Sequence, residues 1–329
     1  MEKLYSDRQR FFNHVVELCA SESPAYLARI GGSDTNALLD FLHAKDAGEA
    51  AMAAHLKRHL PLVEELNGFY DTSANKVDSY FRYLDLLRRN YEATEVTTFV
   101  HRFFLREFFP AEIADQFKAP HVPSPATLTT FMRDLVAREN FVAGYPYTYI
   151  ENLVRSRFTL FGAFSTALAG KKILVVCPFG ESVLLNFRNR RGFFKSDYLY
   201  PEFEVDVVNT PITYGGMPDE NYPHANWFET LDALCREISG KTFDIALLSC
   251  GSYAPPIGSF VKNELKRKAI YVGGILQLYF GIMGRRYQNP YFLSQINAEN
   301  FISPVEKEKY LNMLPTSDVA AREAFGAYF

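Results

Sequence analysis

The sequence predicts an α/β protein, a Rossmann-like and mostly parallel sheet with a large helical N-terminal region, on three observations. Short β-branched apolar runs alternate with helix-length segments after Gly170. Helical periodicity dominates from Ala44 to Asn140, and glycine or small hydroxyl residues punctuate the ends of the apolar runs. The composition agrees, since 329 residues that are 48% hydrophobic and 22% charged fit a chain with a large packed core and exclude a disordered or fibrous one. A formal net charge of -3 argues against a basic nucleic-acid-binding surface. With 15% aromatic residues, most rings must be buried or line clefts.

Taken in order, Lys3 to Ala20 places Leu4, Phe11, Val15 and Leu18 at helical spacings and predicts an amphipathic helix, ended by Ser21-Glu22-Ser23-Pro24. Ala25 to Ile30 reads as a short buried strand, Gly31-Gly32-Ser33-Asp34 as a tight turn, and Thr35 to His43 as the start of a helix. Periodicity then predicts helices over Ala47–Leu66, Asn75–Asn90 and Thr97–Phe109, with breaks at Pro61, Asp71-Thr72-Ser73 and the Pro110–Pro125 region. Past Gly170, Lys172–Cys177 (KILVVC) predicts a buried parallel strand. Further strands follow at Phe203–Asn209, Asp244–Ser249 and Ala269–Val272, with a crossover helix over Ile257–Arg267. The expected organisation is a mainly helical region over 1–160, an α/β domain over 170–287 and a tail over 288–329 that wraps the surface. The strand-turn-helix unit at 25–43 is expected to join the same sheet, which makes the helical region an insertion.

Cys19, Cys177, Cys235 and Cys250 lack C-x-x-C spacing, so neither a zinc knuckle nor a disulfide scaffold is indicated, and a reducing cytoplasm is the simplest compartment. The charged start MEKLYSDRQRFF lacks the apolar stretch of a signal peptide. The uncharged run Ala269–Gly284 is broken by Gly273, Gly274 and Gln277 and falls short of a spanning helix. No transmembrane segment is expected. His55 and His59 in HLKRH lack the glutamate of the H-E-x-x-H zinc motif and read as solvent-facing. Cys177 and Cys250 end apolar runs and read as small buried hydrophobes. Ser182 and Ser252 lack the G-x-S-x-G elbow.

Chemistry is expected at four strand ends: Arg29 to Asp34, Cys177 to Ser182, Cys250 to Tyr253 and Val272 to Gly274. In open parallel sheets, ligands bind beyond the carboxyl ends of strands. Glycine there admits positive φ and close ligand approach, and free N–H groups at a helix start attract phosphate. Gly31, Gly32, Ser33, Gly180, Glu181, Ser182, Gly251, Ser252, Gly273 and Gly274 are therefore candidates. None has G-x-G-x-x-G or G-x-x-x-x-G-K-[ST] spacing. Asp34 reads either as a helix N-cap or as a carboxylate that holds a divalent ion on a diphosphate or takes a proton from a hydroxyl. Glu181 reads as a first-turn acid or a cleft residue. Arg188, Arg190 and Arg191, together with Arg285 and Arg286, read as surface charge or as two clusters converging on a diphosphate.

The runs KILVVCPF (172–179), WFETL (227–231), FDIALLSCGSY (243–253) and VGGILQLYFGI (272–282) together resemble a bacterial family associated with surface polysaccharide biosynthesis. That family is similar in turn to GT-D-type glycosyltransferases, which transfer a sugar from a nucleotide donor and carry an arginine-led turn with an Asp-x-Glu motif. Here the matching segment is Arg29 to Asp34, and Gly32-Ser33-Asp34 stands where Asp-Gly-Glu is expected. The resemblance implies a nucleotide-sugar donor and a glycan or lipid-linked acceptor, with Asp34 as base or ligand of Mn2+ or Mg2+. It also implies Arg29 and the turns at Gly180, Gly251 and Gly273-Gly274 around the nucleotide, and Gln277 as a hydrogen-bonding partner for sugar or base. The missing acid puts metal dependence in question. The expected location is the cytoplasm or the inner face of a membrane, with peripheral contact and self-association both open. Two alternatives stay open: a catalytically silent nucleotide- or glycan-binding assembly factor, and another α/β transferase such as a methyltransferase. The end of the second strand, near Asn209, offers no acid to hold a ribose, which counts against the methyltransferase.

Overall fold

The computed structural model describes residues 16–30, 32–99, 141–143, 165–194, 200–288, 293 and 296–313. Among the described residues, seven strands form one sheet: β1 (Ala25–Ile30), β2 (Val96–Phe99), β3 (Phe141–Ala143), β4 (Lys172–Cys177), β5 (Glu204–Asn209), β6 (Ile245–Leu248) and β7 (Lys268–Tyr271). Their spatial order is β3-β2-β1-β7-β6-β4-β5, and every pairing is parallel. Besides helical segments at 16–20 and 165–167, the described residues hold helices α1 (Gly32–Ala47), α2 (Glu49–Asn67), α3 (Lys76–Glu92), α4 (Gly180–Asn186), α5 (Trp227–Ser239), α6 (Ala254–Asn263), α7 (Leu276–Tyr279) and α8 (Lys307–Asn312). The α/β fold with a parallel sheet and a large helical N-terminal part is therefore present, and β1 lies in the same sheet as the C-terminal strands.

Both sheet faces are covered, which explains why the central strands read as unbroken apolar runs. Alternate residues of one strand serve the two faces: Leu174 and Val176 enter one core, while Ile173, Val175 and Cys177 enter the other. The first core is closed by α1, α2, α3, α5 and α6, through residues such as Leu38, Val63, Leu84, Trp227 and Ile257. The second is closed by Val183 of α4, the segment 275–282 and part of the C-terminal stretch.

Several expectations need correction. Val96–Phe99 is a strand, not the start of a helix, because the β-branched Val-Thr-Thr run pairs between β1 and β3; the remainder of Thr97–Phe109 lies outside the described residues. Helix α2 runs straight through Pro61, which faces solvent. Its buried face is His55, His59, Val63 and Asn67, one residue per four, so the histidines point inward rather than to solvent. His59 Nε2 lies 2.6 Å from Asp40 Oδ2, and His55 Nε2 lies 3.0 Å from the Tyr80 hydroxyl. Burial pushes the His55 ring down to about 4, so it is neutral. The tail does more than wrap the surface, since Ile296 and Tyr310 are core residues. Of the first predicted helix, 16–20 are helical and the rest lies outside the described residues.

Candidate functional site

The order in which strands are added reverses between β4 and β6, because β4 leads on to β5 at one edge while β6 leads back towards β7, although the strands stay parallel. Such a switch point opens a crevice at the carboxyl edge. The four candidate turns all lie along that edge, at the ends of β1, β7, β6 and β4.

On the β4 side the chain fills the crevice itself. The Gly180 N–H donates to Asn209 Oδ1 at 3.0 Å, and the Ser182 N–H donates to Glu306 Oε1 at 3.0 Å. The Ser182 hydroxyl donates to the other Glu306 oxygen and accepts from the Val305 N–H. The Tyr310 hydroxyl lies within hydrogen-bond reach of both the Pro178 and Thr210 carbonyls. A carboxylate of the chain thus occupies the first turn of α4, where a ligand phosphate was expected to bind. Glu181 is exposed in that turn. Asn209, at the end of β5, is tied to Gly180.

The β1 side has a different character. Asp34 is the third residue of α1, not its N-cap, and its side chain is buried. Asn67 Nδ2, at the last residue of α2, donates to Asp34 Oδ1, and the Tyr83 hydroxyl of α3 donates to the same oxygen at 3.1 Å. Burial pushes the Asp34 carboxyl up to about 6, against the two hydrogen bonds and the nearby Arg29 charge, which favour the ionised form. Arg29, the penultimate residue of β1, donates from Nη1 to the Val272 carbonyl at 3.4 Å and lies 5.4 Å from the Tyr271 ring centroid. Gly273 has φ +77, a left-handed conformation that favours glycine, and a Cβ there would fall on the Arg29 guanidinium as it is placed. The Tyr271 hydroxyl donates to the Gly251 carbonyl at 3.3 Å, and Gly251 adjoins Asn67. Two buried polar atoms here, Arg29 Nε and Asn67 Oδ1, have no hydrogen-bond partner among the described residues.

The structure therefore brings together Arg29, Asp34, Gly251 and Gly273. It does not bring the others there as free groups. The Ser252 hydroxyl accepts from Trp227 Nε1 at 2.9 Å, so it anchors the α5 start. Gly274 is half-buried, and Gln277 is buried as the second residue of α7. Arg285 is exposed on its short helical turn. Arg188 is exposed, while Arg190 pairs with Glu202 at 2.6 Å, ahead of the amino end of β5 and so away from the carboxyl edge. Gly32 opens α1; Gly31 and the side chains of Ser33, Arg191 and Arg286 lie outside the described residues.

Sequence reasoning missed Asn67 and Tyr83. Asn67 precedes Gly68, whose left-handed φ of +74 ends α2, and the Asn-Gly pair was legible as a helix stop but not as a site. Tyr83 belongs to an aromatic stripe on α3 that reads as core. Beneath it, the Trp227 ring meets Tyr83 edge-on at 5.1 Å and stacks on Tyr253 at 5.0 Å, which fixes the tyrosine against Asp34.

Among the described residues, the donor set does not fit a divalent cation. Such ions take six or more oxygen ligands, with carboxylates prominent. Here one carboxylate is met by two hydrogen-bond donors with a guanidinium nearby, and no group of three His, Cys, Asp or Glu among the described residues could hold an ion. Burial pushes the Cys177 thiol up to about 12 and raises Cys250 well above the usual thiol range, so neither is an activated nucleophile. Among the described residues, no helix is long and apolar enough to cross a membrane. No protein-family model, curated protein or solved structure matches this chain.

Proposed function

We propose that this chain is a glycosyltransferase-like protein that binds a nucleotide sugar and transfers its sugar to a hydroxyl of a surface-glycan or lipid-linked acceptor. The observation that carries this reading is the buried Asp34 carboxylate, held by Asn67 and Tyr83 at the carboxyl edge of a parallel sheet beside Arg29. A carboxylate raised to about 6 is suited to take a proton near neutral pH. Arg29 is suited to an anionic ligand group, because its planar fork matches phosphate oxygens. The resemblance of the 172–282 runs to the polysaccharide-biosynthesis family supports the sugar-nucleotide class.

A second reading, a catalytically silent binding factor of a polysaccharide locus, is favoured by the Glu306 carboxylate filling the turn after β4. The two are separated by turnover. Release of nucleoside diphosphate from a panel of nucleotide sugars, with glycan or lipid-linked hydroxyl acceptors, should be detectable for the wild type. In Asp34→Asn, turnover should fall by at least about a hundredfold with the fold intact. Unchanged turnover in that variant would remove Asp34 from the reaction, and no turnover with any donor would favour the silent factor.

A further inference from the structure

We infer that, among the described residues, this site holds the anionic group of its ligand through Arg29, with no divalent metal ion. The inference deepens the proposed reading of the same site and rests on it for the identity of the anion, a diphosphate. Three features carry it.

The first is the lone carboxylate. Asp34 Oδ1 is met by the Asn67 amide and the Tyr83 hydroxyl, both donors, and the groups that act on the carboxyl, Tyr83, Asn67 and Arg29, include no second acid. A divalent ion takes six or more oxygen ligands with carboxylates prominent, and one carboxylate beside two donors and a guanidinium does not supply that set. The second is the placement of the guanidinium. Arg29 is fixed against the end of β7 by the Val272 carbonyl and the Tyr271 ring, in space that exists because residue 273 has no side chain. The third is the pair of buried atoms without partners among the described residues, the donor Arg29 Nε and the acceptor Asn67 Oδ1. They suit a ligand that presents an anionic oxygen to one and a hydroxyl to the other.

In the transfer this implies, the acceptor oxygen bonds to the anomeric carbon as the bond from that carbon to the phosphate oxygen breaks. The electron pair leaves with the diphosphate, whose charge Arg29 offsets. The acceptor's hydroxyl proton goes to Asp34. The guanidinium thereby takes the part a metal ion plays elsewhere.

Two measurements on the full chain test this. In the first, free Mn2+ is followed by electron paramagnetic resonance during titration of wild type and Asp34→Asn. The two titrations should coincide, whereas saturable submillimolar Mn2+ binding that Asp34→Asn abolishes would overturn the inference. In the second, inorganic pyrophosphate is titrated with EDTA present. Wild type should be stabilised, and Arg29→Gln should bind at least about tenfold more weakly, with Arg29→Lys in between because it keeps the charge without the fork. Stabilisation that requires Mn2+, or none under either condition, would overturn it. If pyrophosphate binds through Arg29 but no nucleotide sugar turns over, the inference stands and glycosyl transfer falls, so the two failures are distinct.

Discussion

Burial places the Asp34 carboxyl in the folded chain at about 6, against an ordinary value of 3.8. The folded state therefore holds this proton more tightly than the unfolded chain, so ionisation destabilises the fold. The penalty is absent below about pH 4, grows as pH rises to about 6 and is complete above it, at roughly 3 kcal/mol. The groups facing Asp34 are Arg29 from β1, Asn67 from α2 and Tyr83 from α3, with Tyr80 and Tyr91 close enough to feel its charge. Asp34→Asn keeps the shape and removes the ionisation. Urea unfolding across pH 4 to 7 should show this variant gaining on wild type by that amount and then levelling off. A gap independent of pH would mean that Asp34 is not buried as described. Asp34 was legible in the sequence because it follows a Gly-Gly turn at a strand end. Its partners were not, because they lie 33 and 49 residues downstream on helices whose own patterns do not say which polar residue meets a distant turn. His55 and His59 misled for a related reason: the polar string HLKRH hides a stripe that shows only when Val63 and Asn67 are counted with them.

At the scale of elements, strands were easier to find than their neighbours. KILVVC declared itself through β-branched apolar residues, whereas the four residues of β2 are too few for any period and make sense only once β1 lies beside them. Close packing of α6 on β1 was likewise invisible in the sequence. Gly258 sits mid-helix, and a Cβ there would lie 2.2 Å from the Tyr26 ring, which is fully buried. In an open position, Gly→Ala would stabilise a helix by about 1 kcal/mol. Here overpacking should win, and Gly258→Ala should lose about 1–3 kcal/mol in chemical denaturation. A stabilised variant would show that α6 does not approach Tyr26 as closely as described. Glu306 was missed too, because nothing in the tail's composition marks a carboxylate that closes the turn after β4, 124 residues earlier in the chain.

For the whole molecule, the strand order decides which turns can cooperate. The last strand, β7, lies between β6 and the first strand, β1, so Arg29 and Gly273 meet although 243 residues separate Arg29 from Val272. The candidate site exists only when β1 and β7, far apart in sequence, are paired in the middle of the sheet. Membership of β1 in that sheet could be read from its strand-turn-helix pattern, but the order could not, because period and composition carry no information about which parallel strand is whose neighbour. The consequence for ligand binding is asymmetric: the β4 side is closed by Asn209, Glu306 and Tyr310, and the β1 side keeps its charged pair.

The most direct test is a thermal-shift comparison of wild type, Asp34→Asn and Arg29→Gln against nucleoside diphosphates and nucleotide sugars. At about 100 times its dissociation constant, a bound ligand adds roughly 2.7 kcal/mol of stability, a shift of a few degrees. At least one compound should raise the wild-type midpoint, with the shift strongly reduced in Arg29→Gln and weakened in Asp34→Asn. No shift with any compound, or a shift that both variants retain in full, would contradict a nucleotide-sugar site built on Arg29 and Asp34.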